Sequence, residues 1–316
     1  MSVHVPVLAE EVGSFIREAS PSIMVDGTAG AGGHAQFLLE KCLPGDSRYI
    51  AFDQDGEILE IAKEMLRPFG KRVIFVHSNF KNMKRELSLL DIEGVGAVLL
   101  DLGVSSLQLD RGDRGFAFKN EGLLDMRMDI RREMTAYDVI NGYGEEELLR
   151  VLKEYSDLKQ PRWYVRKIME AREKKPLRTT TEFADLFLGA KSFQRRRGMK
   201  FHPATEVFQA VRIEVNDELK CLKEGLQSGF ELLKPEGLLL VISFHSLEDR
   251  IVKDFYREKN EVCICPPKMP VCTCGKKRQA RILTNKPVTA TDEEMSRNVR
   301  ARSAKLRVLK KLNTGI

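Results

Sequence analysis

The run Asp26-Gly-Thr-Ala-Gly-Ala-Gly-Gly-His34 packs four glycines into seven positions, directly after a short apolar segment, Ile23–Asp26. Behind it, residues 34–42 return to helical spacing. Glycine tolerates positive φ and lets backbone N–H groups approach a ligand closely. A strand, a glycine turn and a helix in that order form the opening unit of a doubly wound α/β sheet, with its ligand crevice at the strand end.

The next residues repeat the unit. Arg48–Asp53 reads as a second strand, again ending in an acid. Residues 57–69 form an amphipathic helix with Ile58, Ile61, Ala62, Met65 and Leu66 on one face. Residues 73–76 read as a strand, 81–90 as a helix and Val95–Asp101 as a fourth strand. Apolar strands separated by helices imply a parallel sheet covered on both faces. The pattern breaks between about 110 and 200, where charged helical periodicity replaces strands. Glu145–Tyr155 and 161–173 are helices there, and Thr179–Glu182 offers a capping box. A long helix over 204–233 then leads to a fifth strand, 237–243, a helix over 247–258, and an antiparallel pair, 281–284 with 304–309. The expected fold is α/β, a doubly wound, mostly parallel sheet with an inserted helical domain. Residues 1–110 and 200–316 form the core and 111–199 the insertion.

Chemistry in such folds sits at the carboxyl ends of the strands. Asp53 ends the second strand, where a carboxylate meets ribose hydroxyls. Gly30-x-Gly32-x-x-Ala35 also satisfies the loose dinucleotide pattern, so nicotinamide cofactors and S-adenosylmethionine (SAM) both stay open at this point. Phe80, after the third strand, is placed either to stack on an adenine or to join the core. Asp101 ends the fourth strand and is expected to face the cleft, with Ser105 and Ser106 capping the next segment.

Several longer strings then stand out. The glycine turn, Asp101-Leu-Gly-Val-Ser-Ser-Leu-Gln-Leu-Asp110, Arg114-Gly-Phe-Ala-Phe118, Leu124-Asp-Met-Arg-Met-Asp129, His202-Pro-Ala-Thr205, Ile242-Ser-Phe-His-Ser-Leu-Glu-Asp-Arg250 and Arg300-Ala-Arg-Ser-Ala-Lys-Leu-Arg307 together resemble the MraW-type ribosomal RNA small-subunit methyltransferase H family. The resemblance runs from about His4 to about Leu309. It implies a Rossmann-like SAM-dependent methyltransferase with a helical, substrate-recognising insertion. Its implied substrate is the N4 amine of a cytosine in 16S rRNA, at the decoding centre near the P site of the small ribosomal subunit. It also implies SAM contacts at Gly32, Gly33, His34, Asp53, Phe80, Asp101 and Gln108.

A cytosine amine is a poor nucleophile because its lone pair is delocalised into the ring. Alignment with the donor methyl and a hydrogen-bond acceptor for the amine both help; no metal is required. The Asn/Asp-Pro-Pro-aromatic motif of many amino-methyltransferases is absent, since the sequence there reads Asp101-Leu-Gly-Val. Asp101 is therefore expected at the junction of cofactor and amine. Phe244 and His245 are candidates to contact a base turned out of the RNA, with a buried, satisfied histidine as the alternative.

The overall charge of +6 conceals segregation. Residues 159–200 and 276–316 each carry a net +9, and the remainder carries −12. The basic segments suit rRNA phosphates. Trp163, among Arg162, Arg166 and Lys167, suits RNA contact or, more simply, anchors the insertion's core. Cys263-x-Cys265 and Cys272-x-Cys274 could close a tetrahedral zinc site, although reduced thiols and disulfides stay open. Cys42 and Cys221 read as core. The chain lacks a signal-peptide pattern and any apolar run of roughly 18 residues, so a cytoplasmic protein with no membrane partner is expected. A homodimer is left open. A nicotinamide dehydrogenase explains only the glycine turn and Asp53. A non-catalytic ribosome-assembly factor with a SAM-binding fold is the main alternative to the enzyme.

Overall fold

The computed structural model describes residues 6–119, 121–188, 202–263, 265 and 273–313, together with the backbone of 195–196 and 199–200. Seven strands form its main sheet: β1 (Ile23–Asp26), β2 (Arg48–Asp53), β3 (Val73–His77), β4 (Val95–Asp101), β5 (Leu233–Ser243), β6 (Ala280–Ile282) and β7 (Lys305–Lys311). Their order is β3-β2-β1-β4-β5-β7-β6. The first five are parallel, and β7 and β6 run antiparallel at the far side. Strand order reverses between β1 and β4, which places a crevice at their carboxyl ends.

Alternating side chains feed two cores. Met24, Tyr49, Ala51, Ala97, Leu99, Leu238 and Leu240 join one cluster with α1 (Ala9–Ala19) and α2 (Gly33–Lys41). Val25, Ile50, Phe52, Val98, Leu100, Leu239 and Val241 join the other, with α4 (Met83–Leu89), α11 (Glu218–Leu232) and α12 (Ser246–Asn260). Period-two alternation with both faces apolar is the physical reason these strands read as continuous hydrophobic runs.

The chain divides into two compact units: Met1–Gly103 with Leu219–Ile316, and Val104–Glu218. The second is helical, with α5 (Ser106–Asp110), α6 (Ala136–Gly142), α7 (Glu145–Tyr155), α8 (Pro161–Arg172), α9 (Thr180–Asp185) and α10 (Ala204–Asn216). Its core holds Tyr164, Phe183, Phe187 and Phe208. Trp163 packs against that core, edge-on to Tyr164 at 4.9 Å, so its ring anchors the unit. Arg195–Arg196 pairs with Met199–Lys200 as a short antiparallel ladder, and Arg197 lies outside the described residues.

Three local expectations are corrected. The helix expected over 204–233 is two helices, because Asp217 adopts φ 54° and ends α10; that break also carries the helical unit beyond the expected boundary at 199. β5 begins at Leu233, and the register with β4 jumps from Leu233 to Leu238. Glu236 sits at φ 68° in the bulge between them. In α3 (Gly56–Leu66) the buried face is Ile58, Leu59, Ala62 and Leu66, whereas Ile61 is 44% exposed. Asp55 caps that helix through the Glu57 and Ile58 N–H groups. Among the described residues no helix is long and apolar enough to cross a membrane.

Candidate active site

The glycine turn is folded by hydrogen bonds to neighbouring strand ends. Gly27 N–H donates to the Leu99 carbonyl and Ala29 N–H to the Phe52 carbonyl, both at 2.8 Å. Gly30 N–H donates to Asp53 Oδ2, also at 2.8 Å. Gly30 and Gly32 take φ 54° and 94°, a conformation that side-chain-bearing residues rarely hold. Gly32 is the N-cap of α2 and has no side chain to bond the first-turn N–H groups. The turn thus directs a helix N-terminus toward the crevice at the sheet's carboxyl edge.

Three acids surround it. Asp26 is buried, accepting from Tyr49 Oη at 2.7 Å and from Thr28 N–H at 3.0 Å. Burial raises its carboxyl to about 6 against the pull of those bonds. Asp53 accepts from Gly30 N–H and, at 2.8 Å, from Asp55 N–H; burial carries it up to about 7, with Asp55 and Asp26 adding to the rise. Asp101 is raised well above the carboxylate range by burial, then by Asp26 and Glu248. Its backbone N–H donates to Thr28 Oγ1 at 2.6 Å, so one threonine ties the ends of β1 and β4 together.

His34 faces Asp101. Its Nε2 lies 2.9 Å from the Val7 carbonyl, which only accepts, so Nε2 carries the proton. Nδ1 then points at Asp101 Oδ2, 3.5 Å away. In the neutral ring Nδ1 is an acceptor, so this approach is satisfied only when one of the two groups carries a proton between them. The other oxygen, Asp101 Oδ1, is buried with no hydrogen-bond partner. An orphaned acceptor of this kind is costly unless a donor arrives.

Phe80 is half-buried and packs on the second core cluster. Gly225 of α11 makes room for it: a Cβ there would overlap the Phe80 ring. A Cβ at Gly27 would likewise meet Leu100 and the Phe80 Cβ. These two glycines hold the ring beside the turn. Sequence reading missed Gly225, Thr28 and Tyr49, because each acts through a partner remote in the chain.

His245 is the N-cap of α12. Its ring Nδ1 accepts from Glu248 N–H at 3.5 Å and its Nε2 lies 3.1 Å from Glu248 Oε1. Glu248 Oε2 in return accepts from Phe244 N–H at 2.8 Å. His245 therefore caps α12, while its ring Nε2 is buried without a hydrogen-bond partner, so it is not the buried, satisfied histidine that was the alternative to base contact. Phe244 rests on the first core cluster, 3.5 Å from where a Cβ at Gly103 would stand.

The family model described as the MraW methylase family matches residues 1–312. The chain belongs to the MraW methylase family. Proteins named ribosomal RNA small subunit methyltransferase H are close relatives of this family member. That of Carboxydothermus hydrogenoformans is 46% identical over 98% of both chains. That of Syntrophotalea carbinolica is 47% identical, again over 98% of each. That of Caldicellulosiruptor saccharolyticus is 45% identical over 99% of this chain and all of its own.

In this MraW-family chain, other resemblance-bearing strings build the helical unit itself. Ser105 and Gln108 form a reciprocal capping box on α5, so buried Gln108 is an element of that unit. Arg114 Nη2 donates to the Arg127 and Met128 carbonyls. Asn216 accepts from Met128 N–H and donates to the Met126 carbonyl, each at 2.8 Å. His202 Nδ1 accepts from Ala204 N–H, and its ring lies 4.6 Å from Phe118. The C-terminal basic segment is partly structural too. Arg307 is buried on Asp249 at 2.7 Å, and Lys311 Nζ caps the Phe230, Glu231 and Leu233 carbonyls. Lys277, Arg278, Arg281 and Lys286 stay exposed.

Proposed function

We propose that this chain is a SAM-dependent methyltransferase acting on the N4 amine of a cytosine in 16S rRNA, at the decoding centre of the small ribosomal subunit. Family membership and the names of the relatives support the rRNA methyltransferase class. The observation that carries the cofactor reading is the orphaned Asp101 Oδ1 beside an open glycine turn, with Asp53 at the neighbouring strand end. Carboxyls raised by burial and by one another favour a cationic, hydroxyl-bearing ligand. SAM fits that demand with a sulfonium, an ammonium and two ribose hydroxyls.

Bound SAM supplies an electrophilic methyl group. The chain's own residues do the rest. Gly32 and Gly33 bring backbone close to the ligand, and His34 holds Asp101 in place. Asp53 keeps lone pairs for ribose hydroxyls while its other contacts fix it to the turn. Phe80 offers its ring to the adenine. Asp101 Oδ1 accepts a hydrogen bond from the cofactor ammonium or the cytosine amine, drawing the amine's lone pair out of the ring. His245 positions Phe244 through the α12 cap, and this edge receives the base. The helical unit and the exposed basic residues of the C-terminal segment bind rRNA phosphates. Such an enzyme works in the cytoplasm, where small subunits assemble.

The test is incubation of the full chain with SAM and small subunits lacking the modification, followed by mass spectrometry of the 16S rRNA fragments. One methyl on the exocyclic amine of a single cytosine is expected. Subunit binding with no methyl transfer would replace this reading with that of a non-catalytic assembly factor.

A further inference from the structure

One sequence motif is not absorbed by methyl transfer. Between α12 and β6 the chain makes an excursion that carries Cys263, Cys265 and Cys274. Its base is closed by two contacts: Gln279 N–H donates to the Lys259 carbonyl at 3.0 Å, and Arg278 Nε donates to the Asn260 carbonyl at 2.9 Å. Lys276 pairs with Glu261 across the same base at 3.2 Å.

Inside the excursion the three sulfurs converge. All lie within 4.8 Å of one another, although Cys274 is remote in sequence from the other two. Cys263 Sγ and Cys274 Sγ stand 3.8 Å apart, far longer than a disulfide bond of roughly 2.05 Å. Zinc–thiolate bonds of roughly 2.3 Å at a tetrahedral angle of about 109° set neighbouring sulfurs about 3.8 Å apart. The observed separation matches the edge of a zinc–thiolate tetrahedron. The backbone agrees. Cys265 N–H donates to Cys263 Sγ at 3.3 Å, and such N–H···S bonds stabilise thiolate charge. Gly275 follows Cys274 at φ 61°, turning the chain directly after the third sulfur.

We propose that Cys263, Cys265 and Cys274 are three ligands of one structural zinc ion, which clamps this excursion onto the end of α12. The sequence supplies one more thiol nearby, Cys272, whose placement lies outside the described residues. The proposal stands apart from the methyl-transfer reading. Its consequence is rigidity: Lys276, Lys277 and Arg278 leave the clamp in a fixed path.

The test uses the full chain purified under a reducing phosphine without chelator. Metal analysis should find one zinc per chain, and the C263S/C274S double variant should fall below a tenth of that. Replacement by cobalt(II) in the native protein should give thiolate-to-metal charge-transfer absorption and the intense visible bands of a tetrahedral site. Chelation should speed tryptic cleavage after Lys277 and Arg278 at least tenfold. Native protein that takes up no zinc from an equimolar supply, or gives a cobalt spectrum of octahedral type, would overturn the proposal. So would a double variant that keeps its zinc, which covers the case in which the variant folds poorly.

Discussion

Asp101 of the sheet unit and Asp125 of the helical unit invite comparison. Their side chains are almost equally exposed, at 25% and 24%, and both lie in strings that carry the family resemblance. Their chemistry is opposite. Burial raises Asp125 as well, but Arg127 outweighs it with two side-chain hydrogen bonds at 2.9 and 2.8 Å and its charge, so the carboxyl sits below the usual range. Asp101 has burial plus the acids Asp26 and Glu248, and it is pushed well above that range. One acid is satisfied by its own unit, which is what a scaffold needs. The other is left with an unbonded oxygen at a strand end, which is what a ligand site needs. Exposure and motif membership do not separate the two cases, and partners do.

The sharpest way to break this contrast is D101N. Replacing the carboxyl by an amide should lower the single-turnover methyl-transfer rate on the order of a thousandfold at saturating SAM. A near wild-type rate would reduce Asp101 to scaffold. Asp26 tests the same point through stability. Its raised carboxyl favours the folded state when protonated, so this stabilisation is complete in acid and is lost as pH rises through about 6. The neutral D26N lacks that loss. Its unfolding free energy should therefore gain about 2–3 kcal/mol on wild type between acid and neutral pH, measured by urea titration. A gap that narrows instead would mean Asp26 is better satisfied than its surroundings suggest.

Packing provides a third probe. The methyl of G225A meets the Phe80 ring, and overpacking of this kind should cost about 2 kcal/mol. Adding Phe80→Leu should recover the stability while leaving SAM affinity impaired, which separates room for the ring from use of the ring. Smaller still is the cost of D125N. Its pair is partly exposed, so about 1 kcal/mol of stability should go, with the methyl-transfer rate intact. A rate loss to match D101N would erase the distinction between the two units. Asp53 adds a pH readout: SAM affinity should fall roughly tenfold per unit once pH drops below about 7, as its acceptor becomes protonated. D53N should be flat over the same window.

Much of this contrast was invisible before the chain was folded. Asp101 and Asp125 look alike in sequence, and Asp125 acquires its role from Arg127, two positions on. His245 was expected either to contact a base or to be buried and satisfied, and nothing in the local sequence showed that it would cap α12 with Glu248 closing the box. Ile61 was misplaced because both it and Leu59 are compatible with one helical stripe, and only packing against the sheet picks the inward face. The break at Asp217 left no proline or glycine signal. A single residue in the left-handed region ends α10, in a stretch whose hydrophobic spacing runs on unbroken.

Local pattern was nonetheless sufficient for the architecture. Apolar runs of strand length, acids at their carboxyl ends and glycines at the first turn determined the parallel sheet, the crevice and the place of Asp53 and Asp101 within it. These signals are short-range, because strand pleat, helical period and positive φ act over a few residues. Tertiary structure alone decided that Thr28 bridges to Asp101, that Tyr49 serves Asp26, that Gly225 makes room for Phe80, and that three cysteines converge. Each of those depends on distance between segments remote in sequence, and on burial, which sets whether a polar group is satisfied or left seeking a ligand.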